Sequence, residues 1–97
     1  GVEIGKHTWI NYADDIGTDA KIGDYTTLYS GVNIGGNSNI GEECLIGMGV
    51  TIRPGTKIGN RVAVGCGAVV IKDVPDDSVV VGNPAKTLIK NISWKTL

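Results

Sequence analysis

Aliphatic residues return along this chain at every sixth position. Counted from Ile4, the heads of successive hexads are Ile4, Ile10, Ile16, Ile22, Leu28, Ile34, Ile40, Ile46, Ile52, Ile58, Val64 and Val70, without an insertion. The residue after the head is Gly in eight of the twelve hexads. The fifth residue is small or β-branched in eleven of them, and Asp14 is the exception. A period of six matches neither the ~3.6 of an amphipathic helix nor the ~2 of a half-buried strand. It predicts a short flat strand followed by a turn, again and again. The head points inward and a permissive Gly beside it eases the backbone.

Three such strands close a triangular coil of 18 residues, and residues 4–75 give four coils. With rungs about 4.8 Å apart the prism is roughly 19 Å tall. So narrow an interior has no room for a large side chain at the fifth position. Reading every eighteenth residue gives the columns. Ile4, Ile22, Ile40 and Ile58 head one face, Ile10, Leu28, Ile46 and Val64 the second, and Ile16, Ile34, Ile52 and Val70 the third. The third positions of the second column stack as Tyr12, Ser30, Met48 and Cys66.

The rhythm stops at Val74-Pro75, where Pro removes a ladder donor and Asp76-Asp77-Ser78 has turn chemistry. Residues 1–75 therefore read as the solenoid and 76–97 as a C-terminal cap. In the cap Val79-Val80-Val81 reads as a last strand and Gly82-Asn83-Pro84 as a tight turn open to a cis bond. Residues 84–94 read as a short helix with Pro in its first turn, whose Leu88, Ile89 and Ile92 cap or flank the open end of the prism. The fold class expected is all-β, a parallel β-helix of about four triangular coils with a short C-terminal strand and helix.

Composition narrows the function. A chain of 97 residues makes one small domain, and a net charge of −1 argues against nucleic acid or an anionic membrane as the partner. No apolar run approaches the roughly 18–20 residues of a membrane span. Two cysteines and one histidine make a poor metal set, so no metal is expected. Fifteen glycines beside 5% aromatics suit a backbone that turns often.

The unbroken hexads resemble the hexapeptide-repeat acyltransferases, which fold as left-handed parallel β-helices. The handedness comes from that resemblance, because parallel crossovers are otherwise right-handed. The run Gly67 to Pro75, followed by Val79-Val80-Val81-Gly82-Asn83-Pro84-Ala85-Lys86, is similar to the end of the serine, maltose and sialic-acid or amino-sugar acetyltransferases. The unbroken coil is most similar to the last group, in which a sugar-nucleotide-binding domain precedes the β-helix. That and the start at Gly1 make residues 1–97 the expected C-terminal half of a longer enzyme. The resemblance implies a cytoplasmic homotrimer that holds acetyl-CoA in a groove between two prisms. The acceptor enters from the other end, and a (nucleotide-linked) amino sugar or similar small molecule is the acceptor implied.

Acyl transfer normally uses a base near the nucleophile and donors for the thioester oxygen. Where the amino-sugar group carries a His followed by an acid, this chain reads Thr18-Asp19, and a second family His falls on Thr27. Serine acetyltransferases carry a His where this chain has Ser30. His7, the one histidine, heads a column that continues as Tyr25, Glu43 and Arg61 and reads as a surface edge. It fits a turn residue better than a catalyst. Asp14 breaks the small-residue rule, so either the first coil is distorted or Asp14 and Asp15 point into a site as base or amine anchor. Catalytic candidates are thus Asp14, Asp15 and His7. Thr27, Met48 and Cys66 fall, by resemblance, where CoA is held largely through backbone, and Lys86 suits its phosphates, with Lys72 and Lys90 as further choices. By the same resemblance Asn11-Tyr12 lies where some amino-sugar N-acetyltransferases contact the acceptor. Cys44 occupies an interior position and reads as core. The competing class is a degenerate β-helix that trimerises or binds without catalysis, distinguished by Thr18 in the place of His.

Overall fold

Each hexad head closes a strand of two residues. In the computed structural model, which describes residues 1–96, these strands are β1 (Glu3–Ile4), β2 (Trp9–Ile10), β3 (Asp15–Ile16), β4 (Lys21–Ile22), β5 (Thr27–Leu28), β6 (Asn33–Ile34), β7 (Asn39–Ile40), β8 (Leu45–Ile46), β9 (Thr51–Ile52), β10 (Lys57–Ile58), β11 (Ala63–Val64) and β12 (Val69–Val70). They are short because the fourth residue of each hexad from His7 to Gly67 adopts a left-handed φ and turns the chain.

Every third strand pairs in parallel. β1, β4, β7 and β10 build the first face, β2, β5, β8 and β11 the second, and β3, β6, β9 and β12 the third. The register is 18 residues throughout, as in Trp9↔Thr27 and Thr27↔Leu45. The triangular parallel coil expected from the hexads is therefore what forms. Its three outer surfaces differ. The first carries Glu3, Lys21, Asn39 and Lys57, the third Asp15, Asn33, Thr51 and Val69, and the second Trp9, Thr27, Leu45 and Ala63. The second is the apolar one.

The core is the stack of heads and fifth residues, buried from Ala20 to Val74. The upper heads Ile4 and Ile10 stay exposed, with no rung of the described chain above them. Hydroxyls are tolerated inside because each is hydrogen-bonded, and two of them both donate and accept. Thr26 Oγ1 donates to the Gly41 carbonyl at 2.7 Å and accepts from the Cys44 N–H at 3.2 Å. Ser38 Oγ donates to the Arg53 carbonyl at 3.1 Å and accepts from the Thr56 N–H at 3.3 Å. Buried polar groups paired in this way cost little.

One sequence expectation changes its reason. The Gly after each head was assigned to ease the backbone, but at Gly47 the issue is space. A Cβ there would sit 2.7 Å from Cys66 N and 2.8 Å from the Val64 carbonyl oxygen, so the next rung passes too close for any side chain. Positive φ falls two residues later, at Gly49 (φ 69°), where a Cβ would meet open space.

The cap departs from the reading more clearly. β13 (Ser78–Val81) extends the second face in parallel with β11, and the Asn83–Pro84 bond is cis. The expected helix is instead a strand, β14 (Lys86–Lys90), antiparallel to β13. An isolated helix of about ten residues is marginal in water, whereas the outer edge of β13 offers a row of unpaired backbone groups. The helical geometry that occurs is a 3₁₀ turn at Trp94–Thr96. Beyond β14 the tail turns to the side of the prism. It runs along the first corner, where the Ile92 N–H donates to the Asp77 carbonyl at 3.0 Å and the Trp94 indole N–H to the Glu43 carbonyl at 2.6 Å. Lys95 pairs with the Glu43 carboxylate there.

Candidate functional site

The corner that follows the second face is built differently from the other two. Its turn residues are Tyr12-Ala13, Ser30-Gly31, Met48-Gly49 and Cys66-Gly67. The left-handed position is Gly in three of four rungs here, whereas the first corner places His7, Tyr25, Glu43 and Arg61 at φ between 54° and 59°. Left-handed backbone costs about 1–2 kcal/mol for a residue with a Cβ. The second corner is thus bare backbone and the first is decorated. Its rungs are tied by bonds from Gly31 N–H to Tyr12 O (3.1 Å), Gly49 N–H to Ser30 O (3.0 Å) and Gly67 N–H to Met48 O (2.7 Å).

Along this corner the chemistry changes in one direction. The two upper rungs present Trp9, Asn11 and Tyr12, then Thr27, Tyr29 and Ser30. The next two present Leu45, Gly47 and Met48, then Ala63, Gly65 and Cys66, with the sulfur side chains exposed. Below them the chain crosses under Val69 through bonds with Gly82 and Ala85 and delivers Lys86. There a cleft of about 350 Å³ opens, floored by Val70, Val74, Val80 and Ala85 and edged by Lys72 and Lys86.

The four residues chosen for the acyl donor therefore share one side of the molecule. Thr27 stands half-buried on the second face, Met48 and Cys66 are exposed one rung apart at its corner, and Lys86 begins β14 at the cleft. Lys72 lines the same cleft, while Lys90 lies at the far end of β14, paired with Ser78.

The catalytic candidates do not gather. His7 is on the first corner, its ring stacked on Tyr25 with centroids 5.1 Å apart. That is the edge position its column implied, away from the second corner. Asp14 turns inward, and the first coil is not distorted around it. The first coil keeps its register at Asp15↔Asn33 and Ile16↔Ile34. The Asp14 side chain serves the fold, accepting the Val32 N–H at 2.8 Å just as Thr26 and Ser38 do for their lower neighbours. Its other oxygen, Oδ2, is buried without a partner. Asp15 points outward on the third face, beside this corner. Thr18 is exposed at the third corner. Among the described residues no three His, Cys, Asp or Glu side chains come together in a metal-binding group.

Burial pushes the Cys44 thiol up to about 11, which leaves it inert, whereas Cys66 is open to solvent. The sequence reading passed over Trp9 and Tyr29, although aromatics are only 5% of the chain and these two fall in neighbouring columns, Trp9 over Thr27 and Asn11 over Tyr29. Scarcity and adjacent columns were the available signals.

Residues 37–72 match the family described as bacterial transferase hexapeptide (six repeats). Among solved structures, the chain is similar to soybean serine acetyltransferase at 35% identity and a TM-score of 0.86, covering 90% of this chain and 40% of that one. It is similar to Neisseria gonorrhoeae serine acetyltransferase at 26% identity and 0.88, covering 98% and 40%. It is also similar to the acetyltransferase domain of PglB from Neisseria gonorrhoeae at 31% identity and 0.74, covering 90% and 51%. The chain thus spans about half or less of the length of each. No curated protein sequence matches it. The period of its sequence, the register of its coil and these likenesses show hexapeptide repeats wound as a left-handed β-helix, the fold of the acetyltransferases it is similar to.

Proposed function

We propose that this β-helix binds acyl-CoA along its second corner and transfers the acyl group, acetyl in the first instance, to the amine of an amino sugar. The observation that carries the reading is the order of chemistry along that corner. Lys86 and Lys72 meet the phosphates, and the exposed backbone around Gly49 and Gly67 with Met48 and Cys66 meets the pantetheine. The aromatic and polar upper rungs take the acceptor. From β14 to the rung of Thr27 and Tyr29 is four strand spacings, about 19 Å, an extended path suited to a long flexible donor. The likeness to serine acetyltransferases and to the PglB acetyltransferase domain supports acyl transfer. The apolar second face (Thr27, Leu45, Ala63, Val79) supports association with further copies in a cytoplasmic homotrimer, whose seam runs beside this corner.

In the reaction the amine lone pair attacks the thioester carbonyl carbon. The C–N bond forms as the C–S bond breaks, the electron pair leaves on the CoA sulfur, and the proton lost by nitrogen ends on that sulfur. Amide and CoA thiol are the products. A neutral amine is nucleophilic enough to need little help from a base, which suits a site with Thr18 where relatives carry His. Asp15, whose carboxylate faces solvent beside the corner, is the anchor for the ammonium form and the acceptor of its proton. A second reading, a β-helix that assembles or binds without turnover, is favoured by the same Thr18.

Isothermal titration of acetyl-CoA into the full chain tests the first reading, with glucosamine acetylation followed by mass spectrometry. Micromolar binding, weakened about tenfold by Lys86→Ala at low salt, and an acetylated product support it. Binding without product supports the module. Absence of binding refutes the donor site.

A further inference from the structure

The sheet of the second face has six strands, and β14 is the last of them at its lower end. β13 is paired on both sides, to β11 and to β14, whereas β14 is paired on one. Among the described residues, no group hydrogen-bonds to its other edge. A row of open N–H and C=O groups is a template for one more strand. Four of the five residues of β14 are exposed, and Leu88, at 64%, is the most exposed large aliphatic side chain among the described residues.

Charge decides what that strand can be. Residues 1–50 carry two Lys against seven Asp or Glu, and residues 51–97 carry seven Lys or Arg against three Asp. Because the solenoid converts sequence order into height, the lower end of the molecule is the cationic one. Its three acids are engaged by its own chain. Asp73 Oδ1 accepts the Lys57 N–H at 2.8 Å, Asp76 Oδ1 accepts the Asn60 N–H at 2.7 Å, and Asp77 pairs with Arg61 at 2.7 Å. Lys86 and Lys90, the two ends of β14, are exposed and have no salt-bridge partner among the described residues. A second copy does not suit this edge. Two β14 strands laid antiparallel about Leu88 would set Lys86 opposite Lys90 at both ends, and like charges directly opposite are destabilising. An extended segment with a carboxylate two residues to either side of an apolar centre meets both lysines and Leu88 at once. We propose that the open edge of β14 is a docking strip for an acidic, extended segment of a partner protein, which adds to the second sheet as a seventh strand. Main-chain bonds supply the affinity of such additions and alternate side chains the specificity. The inference goes beyond acyl transfer and does not depend on it.

The probe is a fluorescein-labelled, end-blocked peptide, Gly-Glu-Thr-Val-Thr-Glu-Gly, titrated with the full chain at low salt and followed by anisotropy. A saturable rise is expected, and the same peptide with Lys in place of both Glu is expected to give none. Lys90→Glu should weaken binding about tenfold. Lys90 is the residue to change, because Lys86 also edges the donor cleft. A peptide N-methylated at alternate residues cannot donate to the edge and should bind at least tenfold more weakly than the parent. Flat anisotropy with the acidic peptide overturns the proposal. Equal binding of the N-methylated form also overturns it, since charge alone would then hold the peptide. If Leu88→Lys lowers the oligomeric state in sedimentation, copies of the chain occupy the edge and the proposal falls.

Discussion

Two glycines of one turn, Gly47 and Gly49, should respond very differently to the same added methyl group. At Gly49 the backbone is left-handed but the space is open, so Gly49→Ala carries only the dihedral penalty, about 1 kcal/mol. Glu43 and Arg61 hold equivalent positions on the first corner at φ 55°, which shows that the coil tolerates a Cβ there. At Gly47 the methyl would lie 2.7 Å from Cys66 N, where ordinary contact begins near 3.4 Å. The rungs must then part by about 0.7 Å. Parting stretches the bonds from Gly47 N–H to Val64 O (2.9 Å) and from Gly67 N–H to Met48 O (2.7 Å). With about 1 kcal/mol for each weakened bond and about 1–3 for overpacking, Gly47→Ala should cost about 3–5 kcal/mol. For a chain of this size the expected fall in Tm is about 5 °C for Gly49→Ala and about three times that for Gly47→Ala. Urea unfolding and thermal melts at one fixed protein concentration measure both, since assembly makes Tm concentration-dependent. Equal losses, or a larger loss at Gly49, would refute the claim that close passage of rungs fixes glycine after the hexad head.

Two further outcomes follow from the interior. Asp14→Ala removes the acceptor of the buried Val32 N–H and should cost about 1–3 kcal/mol in urea unfolding. Asp14→Thr, which installs the residue that does this work at Thr26, should restore most of it, and equal losses for the two would count against the staple. Cys44 is held as a thiol up to about pH 11 against an ordinary 9.0, so the unfolded chain loses that proton first and stability falls as pH rises from about 9 to about 11. Cys44→Ala should flatten that alkaline decline, and native protein should be alkylated at Cys66 alone. Labelling of Cys44 at the same rate would show the interior to be open.

The repeat was legible because a six-residue period leaves the chain one way to bury every head, and the 18-residue register follows by arithmetic. The columns, and so the company of Met48 and Cys66, follow too. Residues 84–94 were misread because Leu88, Ile89 and Ile92 satisfy a helix as well as a strand by spacing alone. The open edge of β13, a tertiary feature, decided for β14. Asp14 read as either a distortion or a site group because local sequence shows only a carboxylate where small residues belong. Its partner, the Val32 N–H, is eighteen residues away and becomes visible only when the coils stack. The winding is fixed by residue order alone, since burial of evenly spaced aliphatics is a local and repeated demand. Which polar groups serve the fold and which face a ligand was left to the stacking of rungs, because hydrogen bonds are satisfied between coils and not along them.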